Sequence, residues 1–592
     1  MQGPGTGAMG ATEADRKFRA YLAEDWARWM AQMPETATVV GFPGFDDRWT
    51  DDSPSGIEAR RRHLAESAEG LARFEPGALS ARERVDHRLY GNLLTLARAG
   101  LAFGDDAVPF HFGWPRNLRM PMHQMDGIHL SAGQLLPIQP REHVAEVEAI
   151  LARLRALPVA IGQTRALLEE GMRLGFVPPR IAIRGLPAQV AGLGPEDPDA
   201  SALLVPFKEL PNSIAEGERD RLRRAAREVY TASIRPSLLE FHRFLVDRYL
   251  PAARESIGLS ELPNGRAMYD HRVRWTTTTA QTAEEIHAIG LAEVRRIHAE
   301  MEALARATGF DGSFAEFHRF LATDPRFKAR TADELLDGFR VIAKKIDPEL
   351  ARRFGRLPRL PYGVLPVPDF AAPSSPAAYY QPGSPPTGRP GMFYANTYDL
   401  PARPKWGMEA LTLHEAVPGH HLQIALATEM EDVPEFRKHS GETAFVEGWG
   451  LYAESLGEEL GLYKDPYAKF GMLTFDMWRS IRLVVDTGMH ALGWSRDRAL
   501  QFFRENTGMS DLDISVEVDR YIVVPGQALA YKIGQLKFRE LRTLAERALG
   551  DAFDERAFHD ELLAEGGVPL GEVEARVRAW IGRRRPGRAS SS

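Results

Sequence analysis

The segment TLHEAVPGHHLQIAL, residues 412–426, decides how the rest of the chain is read. Apolar residues Leu411, Leu413, Val417, Leu422, Ile424, Ala425 and Leu426 recur at helix-like spacing on both sides of Pro418-Gly419. Proline inside a helix removes one backbone hydrogen bond and clashes with the carbonyl four residues back, here that of His414. Glycine beside it adds backbone freedom. A kink or bulge at 417–419 is therefore predicted. In an unbroken helix, His421 would share a face with His414, offset by roughly 20° but about 10 Å along the axis, and His420 would point about 120° away. Two looped-out residues would shorten the spacing of six to an effective four and return His420 to the side of His414. The plainer alternative is two separate helices, with the histidines merely at a helix start.

The segment SGETAFVEGWGLYAESLG, 440–457, weighs toward a metal site. Glu442, Glu447 and Glu454 lie among Phe445, Val446, Trp449, Leu451 and Tyr452. A carboxylate in an apolar stripe is costly unless it is paired or bound to a metal. Two imidazoles, one carboxylate and an open position make a catalytic zinc site. The expected ligands are His414, His420 or His421, and Glu447, with one zinc per chain. Glu415 is the expected general base, and Glu454 a supporting residue behind the ligands. Further on, Arg479, Arg482, Asp486 and His490 fall at helical spacings in an apolar stretch. Asp486 and His490 are one turn apart and read either as a pair that orients a metal-binding histidine or as part of a buried structural ion network. In DRYIVVPGQALAYKIGQ, 519–535, Tyr531 is the candidate oxyanion donor. Arg482 and Lys532 are candidates for holding a substrate carboxylate.

Around these motifs the chain reads as mostly α. Its 592 residues are too many for one compact core, so two lobes are expected. Helical periodicity covers 13–34, 57–103, 141–175, 216–257, 281–307, 313–322 and 332–345, and resumes after Trp406. Residues 104–140, rich in Pro, Gly and aromatics, read as an ordered loop packed on the core. In the proline-rich stretch 356–405, Gly391–Tyr398 alternates aromatic and small residues, which predicts a short strand at a sheet edge. Residues 1–15 read as a flexible N-terminus, 16–581 as one helical domain of two lobes, and 582–592 as a disordered basic tail. There is no cysteine, which excludes disulfides and thiolate chemistry. A net charge of -7 gives no reason to expect nucleic acid, and no run is long and apolar enough for a membrane span. The N-terminus lacks an apolar signal core, so the cytoplasm is the expected location.

The combination HEAVPGHHLQ, FVEGWGLYAE, RLVVDTGMH and YIVVPGQALAYKIG, together with MHQMDGIHL and GMFYANTYDLPARP, resembles the bacterial DUF885 family. That family in turn resembles the gluzincin metallopeptidases, including the thimet-oligopeptidase-like and angiotensin-converting-enzyme-like groups. The resemblance implies a two-lobed helical fold around a deep channel and a zinc-dependent cut of short peptides. It also implies an edge strand near Asn396 that aligns substrate by β-addition. Those relatives carry H-E-x-G-H, and a third dipeptidyl peptidase family H-E-x-x-G-H; this chain has H-E-x-x-x-G-H. Taking Gly-His as the constant feature favours His420 as ligand, whereas the simple helical angle favours His421. Two other functions fit the same residues: a metal-dependent hydrolase of another amide, such as an N-acyl amino acid, and a peptide-binding protein without catalysis.

Overall fold

The structure is a computed structural model and describes residues 12–110, 114–368, 372, 375–383, 389–439 and 441–585. It is built almost wholly of helices, as the periodicity predicts. The first, α1 (Glu13–Gln32), begins inside the stretch expected to be flexible. Thr12 accepts from the Asp15 backbone N–H while the Asp15 side chain accepts from Thr12, a reciprocal cap that fixes this start. The rest of the expected flexible N-terminus, residues 1–11, lies outside the described residues. At the other end a helix runs Leu570–Arg584, into the expected tail. Residues 586–592 of that tail also lie outside the described residues.

Three apolar cores organise the chain. One lobe has its own core, drawn from Met122 to Ala253 plus Trp49, and is anchored by α2 (Val144–Arg173). The loop expected over 104–140 holds one helix, Ile128–Ile138, within that lobe. The main core joins the N-terminal helices to α3 (Gly265–Thr277), to the sheet and to the C-terminal helices. The third packs α4 (Ala283–Ala307) against the long helix 466–490. Next comes α5 (Ala332–Arg353), eight residues longer than its predicted end because Pro348 is accommodated within it. No helix among the described residues is long and apolar enough to cross a membrane.

The small sheet contains β1 (Tyr362–Pro366), β2 (Ala378–Gln381) and β3 (Gly391–Ala395) in the order β1-β3-β2. β3 runs parallel to β1, with Val364 opposite Phe393, and antiparallel to β2, with Tyr379 opposite Tyr394. The predicted strand therefore exists, but it is the middle strand and not an edge. Its alternation is the signature of one buried face: Phe393 is fully buried and meets Phe339 of α5 edge-on at 5.0 Å. Strand order depends on partners distant in sequence, which the alternation does not encode.

Candidate metal centre

Five helices position the site: α6 (Met408–Glu415), α7 (His420–Thr428), α8 (Thr443–Ser455), α9 (Pro466–His490) and α11 (Ala530–Leu549), with α10 (Asp511–Val523) between the last two. The break between α6 and α7 falls where the proline predicts it. The four residues 416–419 leave helical geometry, with ψ of -115° at Ala416 and -128° at Gly419, and the Val417–Pro418 peptide is cis. The His421 backbone N–H donates to Ala416 O at 3.1 Å, and the Trp449 indole donates to Pro418 O at 2.8 Å. Gly419 is required by close approach: a Cβ there would lie 2.0 Å from His414 O.

This break turns α7 so that His420, and not His421, faces His414. The two rings lie 4.6 Å apart with planes at 84°. Glu447 reaches both, its Oε2 lying 3.5 Å from His414 Nε2 and 3.5 Å from His420 Nε2. The candidate ligand atoms of all three residues lie within 4.8 Å of one another. A tetrahedral ion with bonds of about 2.0–2.1 Å needs donors roughly 3.3 Å apart, so the spacing and the donor types fit a small divalent metal. His421 is instead buried against the sheet, its Nδ1 3.0 Å from the Tyr380 hydroxyl and its ring 4.6 Å from that of Tyr362. The expectation that it binds the metal is corrected: the helical-angle argument assumed an unbroken helix.

His414 Nδ1 donates to Glu454 Oε1 at 2.8 Å, both side chains being nearly inaccessible, which directs Nε2 toward Glu447. Burial opposes a charge on His414, but hydrogen bonds to Glu447 and Glu454 win and raise its pKa to about 9. Burial likewise opposes ionisation of Glu447, yet the two imidazoles hold it well below the usual carboxylate range. Glu447 lies deep enough for that penalty and still keeps 20% of its side chain accessible. Gly450, one turn before Glu454, is where the His414 ring lies on α8; a Cβ would sit 2.8 Å from it. Sequence reasoning overlooked Gly450. Its only signal is a glycine inside a helical pattern, which marks close packing.

Glu415 closes α6, is 8% exposed, and among the described residues its carboxylate makes no hydrogen bond and no ion pair. α8 and α11 touch backbone to backbone at Gly448 and Gly534, which brings Tyr531, one turn earlier, toward Glu447. Burial and the Glu447 charge raise the Tyr531 phenol above its ordinary value, so it keeps its proton.

The remaining expected site residues are placed elsewhere. Asp486 and His490 do not pair. Asp486 accepts from the Tyr269 hydroxyl at 2.5 Å and from Gly526 N–H at 3.0 Å. His490 donates from Nε2 to Tyr521 O at 2.9 Å and accepts from Leu259 N–H at 3.1 Å. Burial lowers the His490 pKa to about 4 and raises that of Asp486 to about 7. Lys532 is completely inaccessible between Asp476 at 2.5 Å and Glu293 at 2.9 Å, so it cannot meet a substrate. Arg482 is 5% exposed; it donates to Tyr521 Oη at 2.9 Å and stacks 4.5 Å from the Tyr531 ring, behind the site. Asn396, 1% exposed, donates to the carbonyls of Ala372, Ser375 and Pro376 and ties them to the end of β3. Apart from Arg482 Nη1, which has no hydrogen-bond partner among the described residues, these charged and amide groups are held by partners elsewhere in the chain.

A family model described as bacterial protein of unknown function (DUF885) matches residues 34–577. No curated protein matches. Among solved structures, a "putative lipoprotein" from Colwellia psychrerythraea is 25% identical with a TM-score of 0.88, over 96% of this chain and 99% of that one. A second, from Shewanella oneidensis and of unknown function, is 16% identical with a TM-score of 0.67, over 94% and 99%. Trypanosoma cruzi metallocarboxypeptidase 1 is 12% identical over 75% of this chain and 99% of that one; its TM-score of 0.23 carries no argument.

Proposed function

Because the chain belongs to the DUF885 family, whose function is unknown, its activity has to be read from the site, and we propose that it is a zinc-dependent peptidase of short peptides. The observation that carries this is the convergence of His414, His420 and Glu447 beside a nearly buried Glu415 that has no hydrogen-bond or ion-pair partner among the described residues. Two imidazoles and a carboxylate, with no cysteine in the chain, suit zinc. When bound, such an ion supplies Lewis acidity that brings a water molecule toward ionisation at neutral pH. Glu415 accepts the proton of the attacking water and returns it to the leaving amine. The protonated Tyr531 donates a hydrogen bond to the oxyanion that develops on the substrate carbonyl. Glu454 fixes the tautomer and orientation of His414.

The accessible fifth of Glu447, deep in the molecule, supports a narrow channel that admits extended peptides and excludes folded chains. A peptide adding to the sheet would have to pair with β1 or β2, because both sides of β3 are taken. A cytoplasmic location belongs to the same proposal, and cell fractionation tests it against the lipoprotein descriptions of the two bacterial relatives. The activity test is Glu415→Gln. It should keep about one zinc per chain and lose peptide hydrolysis by a factor of about 10² or more. Retained turnover in that variant removes the mechanism. Turnover of N-acyl amino acids with none of peptides moves the substrate class to other amides.

A further inference from the structure

Two segments of unusual composition, Trp114–Asp126 and Val523–Pro525, meet around a cavity of about 90 Å³. None of His414, Glu415, His420 and Glu447 lines it. Its wall is mostly apolar, with Met120, Met122, Leu259, Met268 and Ile522 facing the space. Five prolines, at 115, 121, 178, 179 and 525, belong to the same wall. Each fixes a backbone angle, so the cavity is preformed and does not depend on a ligand to shape it.

The rim decides what chemistry the cavity accepts. Arg116 is paired with Asp52 and Asp106, and Arg272 with Asp105. Arg254 donates to the carbonyls of Val177, Ser256 and Gly258 at 3.1, 2.8 and 2.7 Å. Arg116 and Arg272 are thus neutralised by carboxylates, and the Arg254 donors are taken up by backbone carbonyls. Burial lowers the His123 pKa to about 4, so this imidazole is neutral as well. Asp126 also lines the rim and accepts from the Gly127 backbone N–H at 2.7 Å, and the mostly apolar wall favours an uncharged, apolar occupant. A dry cavity of about 150 Å³ holds a benzene ring. At about 90 Å³ the space here suits a branched aliphatic group and not an aromatic one.

The cavity is also tied to the site. Pro525 is on its wall, and Gly526 and Gln527 lead into α11, where Tyr531 faces Glu447. Gly526 turns in the left-handed region and Gln527–Leu529 follow as a 3-10 helix, so the six residue steps from Pro525 put Tyr531 within roughly 13 Å of it. An extended peptide advances about 3.4 Å per residue, so a span of that length corresponds to about four residues of a substrate. We propose that this cavity is a subsite for a branched aliphatic side chain, of valine, leucine or isoleucine size, and that it selects which peptides are cleaved. This rests on the peptidase reading.

The test walks leucine through each position of an acetylated alanine pentapeptide, using zinc-loaded enzyme, with glycine, valine and phenylalanine as comparisons. One position should favour leucine or valine over both glycine and phenylalanine by about tenfold or more in kcat/KM. Ala182→Leu fills the cavity from its lining and should collapse that ratio. Met268→Ala enlarges it and should move the preference toward phenylalanine. Two folded variants that keep the wild-type selectivity at every position within twofold overturn the subsite. If no peptide is cut at all, the peptidase reading has failed, and calorimetry with N-acetyl-leucinamide still decides the cavity. Binding about tenfold tighter than N-acetylglycinamide, and lost in Ala182→Leu, sustains it; equal binding overturns it.

Discussion

Gly450→Ala adds one methyl group to a residue with no metal-binding chemistry. The new Cβ would lie 2.8 Å from His414 Cε1 and 2.9 Å from Nε2. Ordinary carbon contacts are about 3.5–4.0 Å, so the ring has to move by roughly 0.7 Å or more. Metal sites hold their ligand distances to about 0.2 Å. His414 should then be lost as a ligand, and zinc affinity should fall by about 10² or more. The fold should suffer less. Overpacking costs about 1–3 kcal/mol, and alanine's higher helix propensity returns about 1 kcal/mol of that. The assay is competitive titration with a chromophoric chelator, with circular dichroism and the thermal midpoint of the metal-free protein measured beside it. A Gly450→Ala protein that folds and binds zinc within threefold of the wild type would falsify the placement of His414 against α8.

Glu454→Ala removes the acceptor of His414 Nδ1 and leaves a buried donor unpaired, so zinc affinity should drop about 10–100-fold with the ligands intact; an unchanged affinity in the same titration counts against the support. Asp486 has a folded pKa of about 7, above its unfolded value of about 3.9, so its contribution is present in full below about pH 4 and is lost as pH rises to 7. That loss amounts to about 4 kcal/mol. Asp486→Asn should remove it, giving a thermal midpoint higher than the wild type at pH 8, similar at pH 4.5, and flatter between; parallel curves for the two proteins refute the assignment.

The metal cluster was legible because its signals are local. Pro418-Gly419 announces a break, and a break is what converts a spacing of six into a shared face. Glu447 and Glu454 announce themselves as carboxylates in an apolar helix, two turns apart on one face. The same rule misled at Asp486, His490, Lys532 and Arg482. A charge in an apolar stripe marks a satisfied partner as readily as a ligand site, and here the partners are Tyr269, the Tyr521 carbonyl, Glu293 and Glu517. Nothing near Lys532 in sequence points to Glu293, 239 residues earlier. His421 shows the limit in another form. Which of two adjacent histidines faces the metal depends on the backbone angles at Ala416 and Gly419, and composition fixes only that a break occurs. The place of β3 between β1 and β2 was beyond reach for a similar reason, since alternation reports a buried face and not a neighbour.

A proline-glycine interruption between two helices is ordinarily where a chain flexes. Here it is bolted from three sides, by the Trp449 indole on Pro418, by the Ala416 carbonyl on His421, and by the packing of His421 against Tyr362 and Tyr380. The hydrogen-bonded backbone amides of Ala416 and His421 should exchange with solvent as slowly as the interior of α8, even without metal. Movement that admits and releases a ligand then has to come from elsewhere. The separately cored lobe Met122–Ala253 carries one wall of the aliphatic cavity but none of the metal ligands. The helix break is thus a fixed frame that sets the direction of His420.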